Sequence, residues 1–147
     1  MPSRAYTFDL LYVLKDDGAV TASAAAQVGG SNKILDLGGG LMEATIVLNI
    51  AAIDVSSGDE RYLILAQGSN SPTFANTVET LAAVDLGAAG GRAGGGGLQS
   101  SPTGQRFLGI ATEVGDTVYR YLRLYHVISG TTPSINYTAF LANPPGR

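Results

Sequence analysis

The chain contains no cysteine, no tryptophan and one histidine, His126. Without cysteine, neither a disulfide framework nor a thiolate metal site can form. With one histidine, a metal site would have to be built mostly from carboxylates. Charged residues make up only 14% of the chain, and no basic cluster forms: Arg4, Lys15, Lys33, Arg61, Arg92 and Arg106 stand singly. A duplex-binding protein concentrates its positive charge on one face, so nucleic acid is not the expected partner. The longest apolar runs fall far short of the ~20 residues of a membrane helix, so no membrane partner is expected either. Most catalysis needs a nucleophile beside a base, a metal cluster or a phosphate cradle. No such set is readable here, so the chain is expected to act by its surface and not as an enzyme, with no cofactor and no metal.

What the chain does have is glycine and β-forming sequence. Its 147 residues include 20 glycines, and 45% are hydrophobic. That length suits one domain of roughly 100–200 residues with a full core. The opening Met1-Pro2-Ser3-Arg4-Ala5-Tyr6 has no apolar signal-peptide region, so synthesis in a cytoplasm is expected.

Tyr6, Phe8, Leu10, Tyr12 and Leu14 recur at period two, which predicts a strand over 6–14, closed by the turn residues Lys15-Asp16-Asp17-Gly18. Thr21–Val28 is alanine-rich and reads as a short helix or as an extended arm lying on a neighbour. Further strands are predicted over 34–37, 41–55, 61–67, 81–86, 106–114, 118–128 and 134–142. Between them, Gly87–Gly97 holds seven glycines in eleven residues and, with Gln99–Gln105, predicts a flexible surface loop. The ending Asn143-Pro144-Pro145-Gly146-Arg147 cannot continue a sheet. Seven or eight strands with little helix predict an all-β fold, a jelly-roll-like antiparallel sandwich, forming one domain over 1–147 with extended termini.

Several motifs invite a chemical reading. Ile34-Leu35-Asp36-Leu37-Gly38-Gly39-Gly40 resembles the strand-to-glycine turn of nucleotide-binding folds. That turn must feed a helix N-terminus. Here it feeds Leu41-Met42-Glu43-Ala44-Thr45-Ile46, which is strand-like, so a β-turn is the better reading. Gly94–Gly97 lacks the Lys-Ser/Thr that a P-loop requires. Asp16-Asp17 and Asp59-Glu60 pair carboxylates that could hold calcium, yet both lie in turn sequences that already account for them. His126 reads as a packed or interface histidine. Asn136-Tyr137-Thr138 matches a glycosylation sequon, without the secretion signal that would give it meaning.

One face stays open to several readings. Within 118–128, Tyr119, Tyr121, Arg123, Tyr125 and Val127 alternate with Val118, Arg120, Leu122, Leu124, His126 and Ile128. Tyrosines with an arginine are enriched in protein interfaces and sugar platforms. Tyr119, Tyr121, Arg123 and Tyr125 are therefore a core face, an interface or a ligand platform.

The segments AYTFDLLYVLKDDGAVTASAAAQVGGSNKILDLGGG and VYRYLRLYHVISGTTPSINYTAFLA together resemble the cement (decoration) proteins of tailed bacteriophages, especially the type on the head of a Bordetella phage. The likeness covers most of the chain and is weakest through 87–105. It implies a jelly-roll sandwich that forms homo-oligomers on the outer capsid surface of the virion, after synthesis in the host bacterial cytoplasm. The implied partners are the major capsid protein, whose neighbouring subunits it would clamp against internal DNA pressure, and further copies of itself, as a homodimer or else a homotrimer. It implies no catalytic residue. A carbohydrate- or protein-binding sandwich module, such as a phage adhesion accessory, is the alternative.

Overall fold

The computed structural model describes residues 12–90 and 99–142. Its regular structure is β throughout, with no α-helix among the described residues. The strands are β1 (Val13–Lys15), β2 (Ala19–Val20), β3 (Ala24–Ala25), β4 (Gln27–Val28), β5 (Ser31–Asn32), β6 (Leu35–Asp36), β7 (Glu43–Ile53), β8 (Arg61–Ser69), β9 (Glu79–Gly87), β10 (Gly104–Ala111), β11 (Glu113–Val114), β12 (Thr117–Val118), β13 (Tyr121–Ser129) and β14 (Ile135–Ala142).

Two antiparallel sheets form a sandwich. The first runs β1, β14, β7, β10, with β2 also paired to β14. The second runs β3, β13, β8, β9, with β6 also paired to β13. β1 and β2 share one edge position, as do β3 and β6, so the chain fills four positions in each sheet. Two small hairpins, β4–β5 and β11–β12, stand apart.

The core follows from alternation. Along β7, Ile46, Leu48 and Ile50 point between the sheets, in register with Leu141, Ala139 and Tyr137 of β14. From the second sheet, Tyr62, Ile64 and Ala66 of β8 meet them beside Leu122 and Leu124 of β13, all fully buried. Burying each such aliphatic side chain contributes roughly 1.5–3 kcal/mol, which is the main favourable effect in a chain without disulfides.

Two buried polar groups fix the corners. The Tyr62 hydroxyl accepts from Ser134 N (2.8 Å) and lies 2.7 Å from Asp54 O, tying the loop after β7 to the loop before β14. Glu60 is fully buried, and its carboxylate accepts from Ser57 N (2.7 Å) and Gly58 N (3.1 Å).

Several expectations change. Thr21–Val28 is not a helix: β3 and β4 lie within it, because Ala24 and Ala25 pair with His126 and Tyr125 at the edge of the second sheet. Tertiary pairing overrides alanine's helical preference. The segment is extended, but it lies on its own chain. The expected loop at 87–105 is narrower. Gly87 closes β9 and Gly104 opens β10, while Ser101 N donates to Gly87 O (2.8 Å) and Gly87 N to Ser101 Oγ (3.0 Å). Residues 91–98 lie outside the described residues. So does most of the strand expected over 6–14, of which β1 is the described part, and so does the ending 143–147.

Candidate interaction surface

On β13, Leu122 and Leu124 fill the core while Tyr121, Arg123 and Tyr125 face outward and are half-buried. The period-two pattern thus separates the two faces correctly from Tyr121 onward. Tyr119 does not belong with them. It precedes the strand, is buried, and packs where any side chain at Gly68 would stand, 2.9 Å from its Cβ. The reason is a change of sheet: Tyr119 N donates to Thr112 O (2.8 Å) beside the β11–β12 hairpin, and β13 starts only after it.

The outward face is continuous across β8. In register, Tyr125 lies opposite Leu65, Val127 opposite Leu63, and Arg123 opposite Gln67. Leu63 and Leu65 are half-buried and Val127 is 42% exposed, so apolar surface flanks the arginine on one side.

Arg123 is built in from three directions. Its Nε donates to Gln67 Oε1 (2.9 Å). Its guanidinium lies 4.3 Å from the Phe74 ring centre and 5.2 Å from that of Tyr125. Phe74 reaches it from the β8–β9 loop with a left-handed backbone, φ 56°. That conformation costs a bulky residue on the order of 1 kcal/mol. The loop holds it through Phe74 N donating to Ser71 O (3.1 Å) and Ser69 Oγ donating to Asn76 O (2.9 Å). Burial lowers the Arg123 pKa from its ordinary value. No carboxylate among the described residues pairs with it; the ion pairs formed are Arg61–Asp85 and Arg120–Asp36.

Arg120 differs. It grips Asp36 with two parallel bonds of 2.8 and 2.9 Å and lies 5.4 Å from the Tyr121 ring centre. The hydrogen bond from Arg120, then that from Gly38 N, hold the Asp36 carboxyl down to about 2. Asp36, within the nucleotide-like motif, is thus a turn and ion-pair residue.

The other candidates resolve into structure. Asp16 Oδ2 accepts from Gly29 N (2.7 Å), and Asp59 accepts from both the amide and the hydroxyl of Thr131 (2.9 and 2.8 Å). Asn136 of the sequon accepts from Gly18 N (3.0 Å). Among the described residues, no three His, Asp or Glu side chains come together as metal ligands.

His126 belongs to a buried cluster that the sequence pattern misses. Its Nε2 is hydrogen-bonded to the Tyr137 hydroxyl, and the two rings meet edge-on at 5.4 Å. The Lys15 ammonium lies 4.7 Å from the Tyr137 ring centre and donates to Asp16 O, Gly18 O and Tyr137 O at 2.7–2.9 Å. Alternation would turn Lys15 outward once Leu14 points in. An irregularity in the β1–β14 register places both inside. Burial is the first cause that lowers the His126 pKa to about 4, the Lys15 charge adds to it, and the Ala24 backbone opposes. No hydrogen bond forms at its Nδ1 among the described residues. An open cavity of about 430 Å³ adjoins His126 and Lys15. With all three Lys15 donors bonded and His126 bonded to Tyr137, the cluster forms a buried polar joint between β1, β13 and β14.

A scan against protein-family models matches no family, and a search of curated proteins finds no matching relative.

Proposed function

We propose that the protein is a capsid cement protein, which binds the outside of a tailed-phage head and clamps neighbouring major capsid subunits. The sequence resemblance introduced this reading, and two features support it. The first is strand order. Of the eight strand positions, the first sheet sets the first beside the eighth, then the third and sixth; the second sets the second beside the seventh, then the fourth and fifth. We read this as the order of a jelly roll.

The observation that carries the reading is the Tyr121–Arg123–Tyr125 row. Its side chains face away from the core on a central strand of a rigid sheet, with apolar flanks. Such a face suits a permanent protein contact. A lattice clamp needs a stiff scaffold that presents this kind of surface many times over, since many modest contacts on one shell add up through avidity. A sugar-binding module is the weaker reading, because guanidinium groups already lie over the rings of Tyr121 and Tyr125.

The test is cosedimentation of the purified protein with expanded heads of a tailed phage carrying this gene, prepared without decoration. Saturable binding to expanded heads, and none to free capsid protein, is expected. Absence of binding to such heads overturns the reading.

A further inference from the structure

We propose that Arg123 is a carboxylate-capturing anchor, and that the outer face of the second sheet docks an acidic protein segment whose carboxylate is flanked by apolar side chains. The inference deepens the cement reading by naming the docking residue and the partner's chemistry, and it rests on that reading only for the partner's being a capsid subunit.

Arg123 has unused donors. A guanidinium carries five N–H groups in a planar fork. In Arg123 the Nε group is bonded to Gln67, and among the described residues no hydrogen bond or carboxylate engages either Nη. The same molecule shows what a satisfied arginine looks like: Arg61 and Arg120 each engage an aspartate through Nε and one Nη. Arg123 is instead held by Phe74, Tyr125 and Gln67, none of which neutralises its charge.

Two features make this a prepared site. Phe74 adopts a strained backbone to lie on the guanidinium, and Gln67 fixes the plane of the fork. A side chain ordered in advance loses little freedom on binding, so more of the contact energy appears as affinity. A half-buried arginine also meets a carboxylate in a lower dielectric than a surface arginine does, where the two-pronged pair is strongest.

The flanks set the rest of the ligand. Leu65 lies in the next pair along the same face, opposite Tyr125, and Leu63 and Val127 form the pair beyond it. A second copy seated about a two-fold axis that passes at Arg123 would bring the arginine against its own equivalent. Like charges there are unfavourable, so the charge pattern favours an acidic partner over self-association.

The first probe is the blocked tripeptide N-acetyl-Leu-Asp-Leu-amide, titrated while the arginine Nε–H signals are followed by NMR. The Arg123 signal is identified by its loss in R123K. It is expected to move saturably, with a dissociation constant in the millimolar range typical of one small contact, while the Arg61 and Arg120 signals stay in place. The Asn-containing tripeptide should move it far less. An Arg123 signal that ignores the Asp peptide, or responds equally to both, overturns the proposal.

The second probe is the expanded head. R123K keeps the charge but loses the fork, so roughly tenfold weaker binding at each engaged face is expected, with thermal unfolding lowered by only a few degrees through loss of the Gln67 bond. R123K that binds as well as the parent protein overturns the inference while leaving the cement reading intact. Peptide capture by a protein that ignores heads sustains the inference and removes the cement reading. Light scattering completes the set: an R123K variant that changes oligomeric state would make a second copy the occupant and would also overturn the proposal.

Discussion

At the scale of single residues, the most consequential side chain outside the docking face is His126. It is 1% exposed and stays neutral because burial and the nearby Lys15 charge hold its pKa at about 4, against 6.5 in an unfolded chain. The sign of the effect follows directly. Between pH 6.5 and 4 the unfolded chain takes up a proton that the folded chain refuses, so acid favours unfolding. The stability associated with His126 is therefore complete above about pH 6.5 and falls as the pH drops towards 4, by about 3 kcal/mol over the window. The shifted aspartates act elsewhere. Asp36, Asp54 and Asp59 all have lowered pKa values, so their contributions are lost only as the pH falls below the usual carboxylate range. Urea unfolding at pH 7.0, 5.5 and 4.5 separates the two groups. The midpoint is expected to fall steadily across those three values in the parent protein and to change much less in H126Q. A parent protein with equal midpoints at pH 7.0 and 4.5 would show that His126 is not buried in the neutral form.

At the scale of elements, the chain just before β8 is closely hemmed in. The backbone at Asp59–Glu60 passes between two glycines. A Cβ at Gly87 would stand 2.3 Å from Glu60 O, and one at Gly130 would stand 2.7 Å from Asp59 O. Both glycines have positive φ, 141° and 113°, where other residues are strained. Glu60 O also accepts the Ala88 amide at 2.9 Å, so the close approach is part of the bonding that joins β9 to this corner. G87A and G130A are each expected to lose about 2–4 kcal/mol, combining backbone strain with displacement of neighbouring main chain. G115A is the control. Gly115 also has positive φ, at 60°, but a Cβ there meets nothing within 4 Å, so a loss of only about 1 kcal/mol is expected. Denaturant unfolding of the three variants decides the matter, and equal losses would mean that the close contacts carry no weight.

The elements also show what a sequence can and cannot disclose. The strand around Thr45–Ile53 is readable because its Ile- and Val-rich run suits a largely buried strand, and that of Tyr121–Ile128 because burial on one face writes itself at period two. Alternation gives no warning where the chain changes sheet. Tyr119 therefore looked like a member of the aromatic row and is instead packed beside Gly68. Lys15 looked like a turn residue, and a register irregularity carries it inside. Of the candidate face, Tyr121, Arg123 and Tyr125 were legible. Gln67 and Phe74 were not, since they reach Arg123 through strand pairing and a folded-back loop, with sequence separations of about fifty residues that local patterns do not encode.

At the scale of the whole molecule, the first sheet joins the earliest described strand to the last, β1 to β14. Neither half of the chain completes this sheet alone, so the sandwich forms only when strands from both ends of the chain come together. If the protein is a dimer that seats two faces on one shell, the second contact forms at the effective concentration set by the first. A substitution that weakens one contact by a factor then weakens retention on the shell by about the square of that factor. For R123K, roughly a tenfold loss of affinity for the Asp tripeptide should become roughly a hundredfold loss on expanded heads. A trimer engaging three faces would lose about a thousandfold, and a monomer only the tenfold seen with the peptide. Binding isotherms on heads, measured beside the light-scattering mass of the same sample, give both numbers. A dimer or trimer whose head affinity falls by no more than its peptide affinity would mean that the faces do not engage the shell together, and the clamp would have to act through another surface of the sandwich.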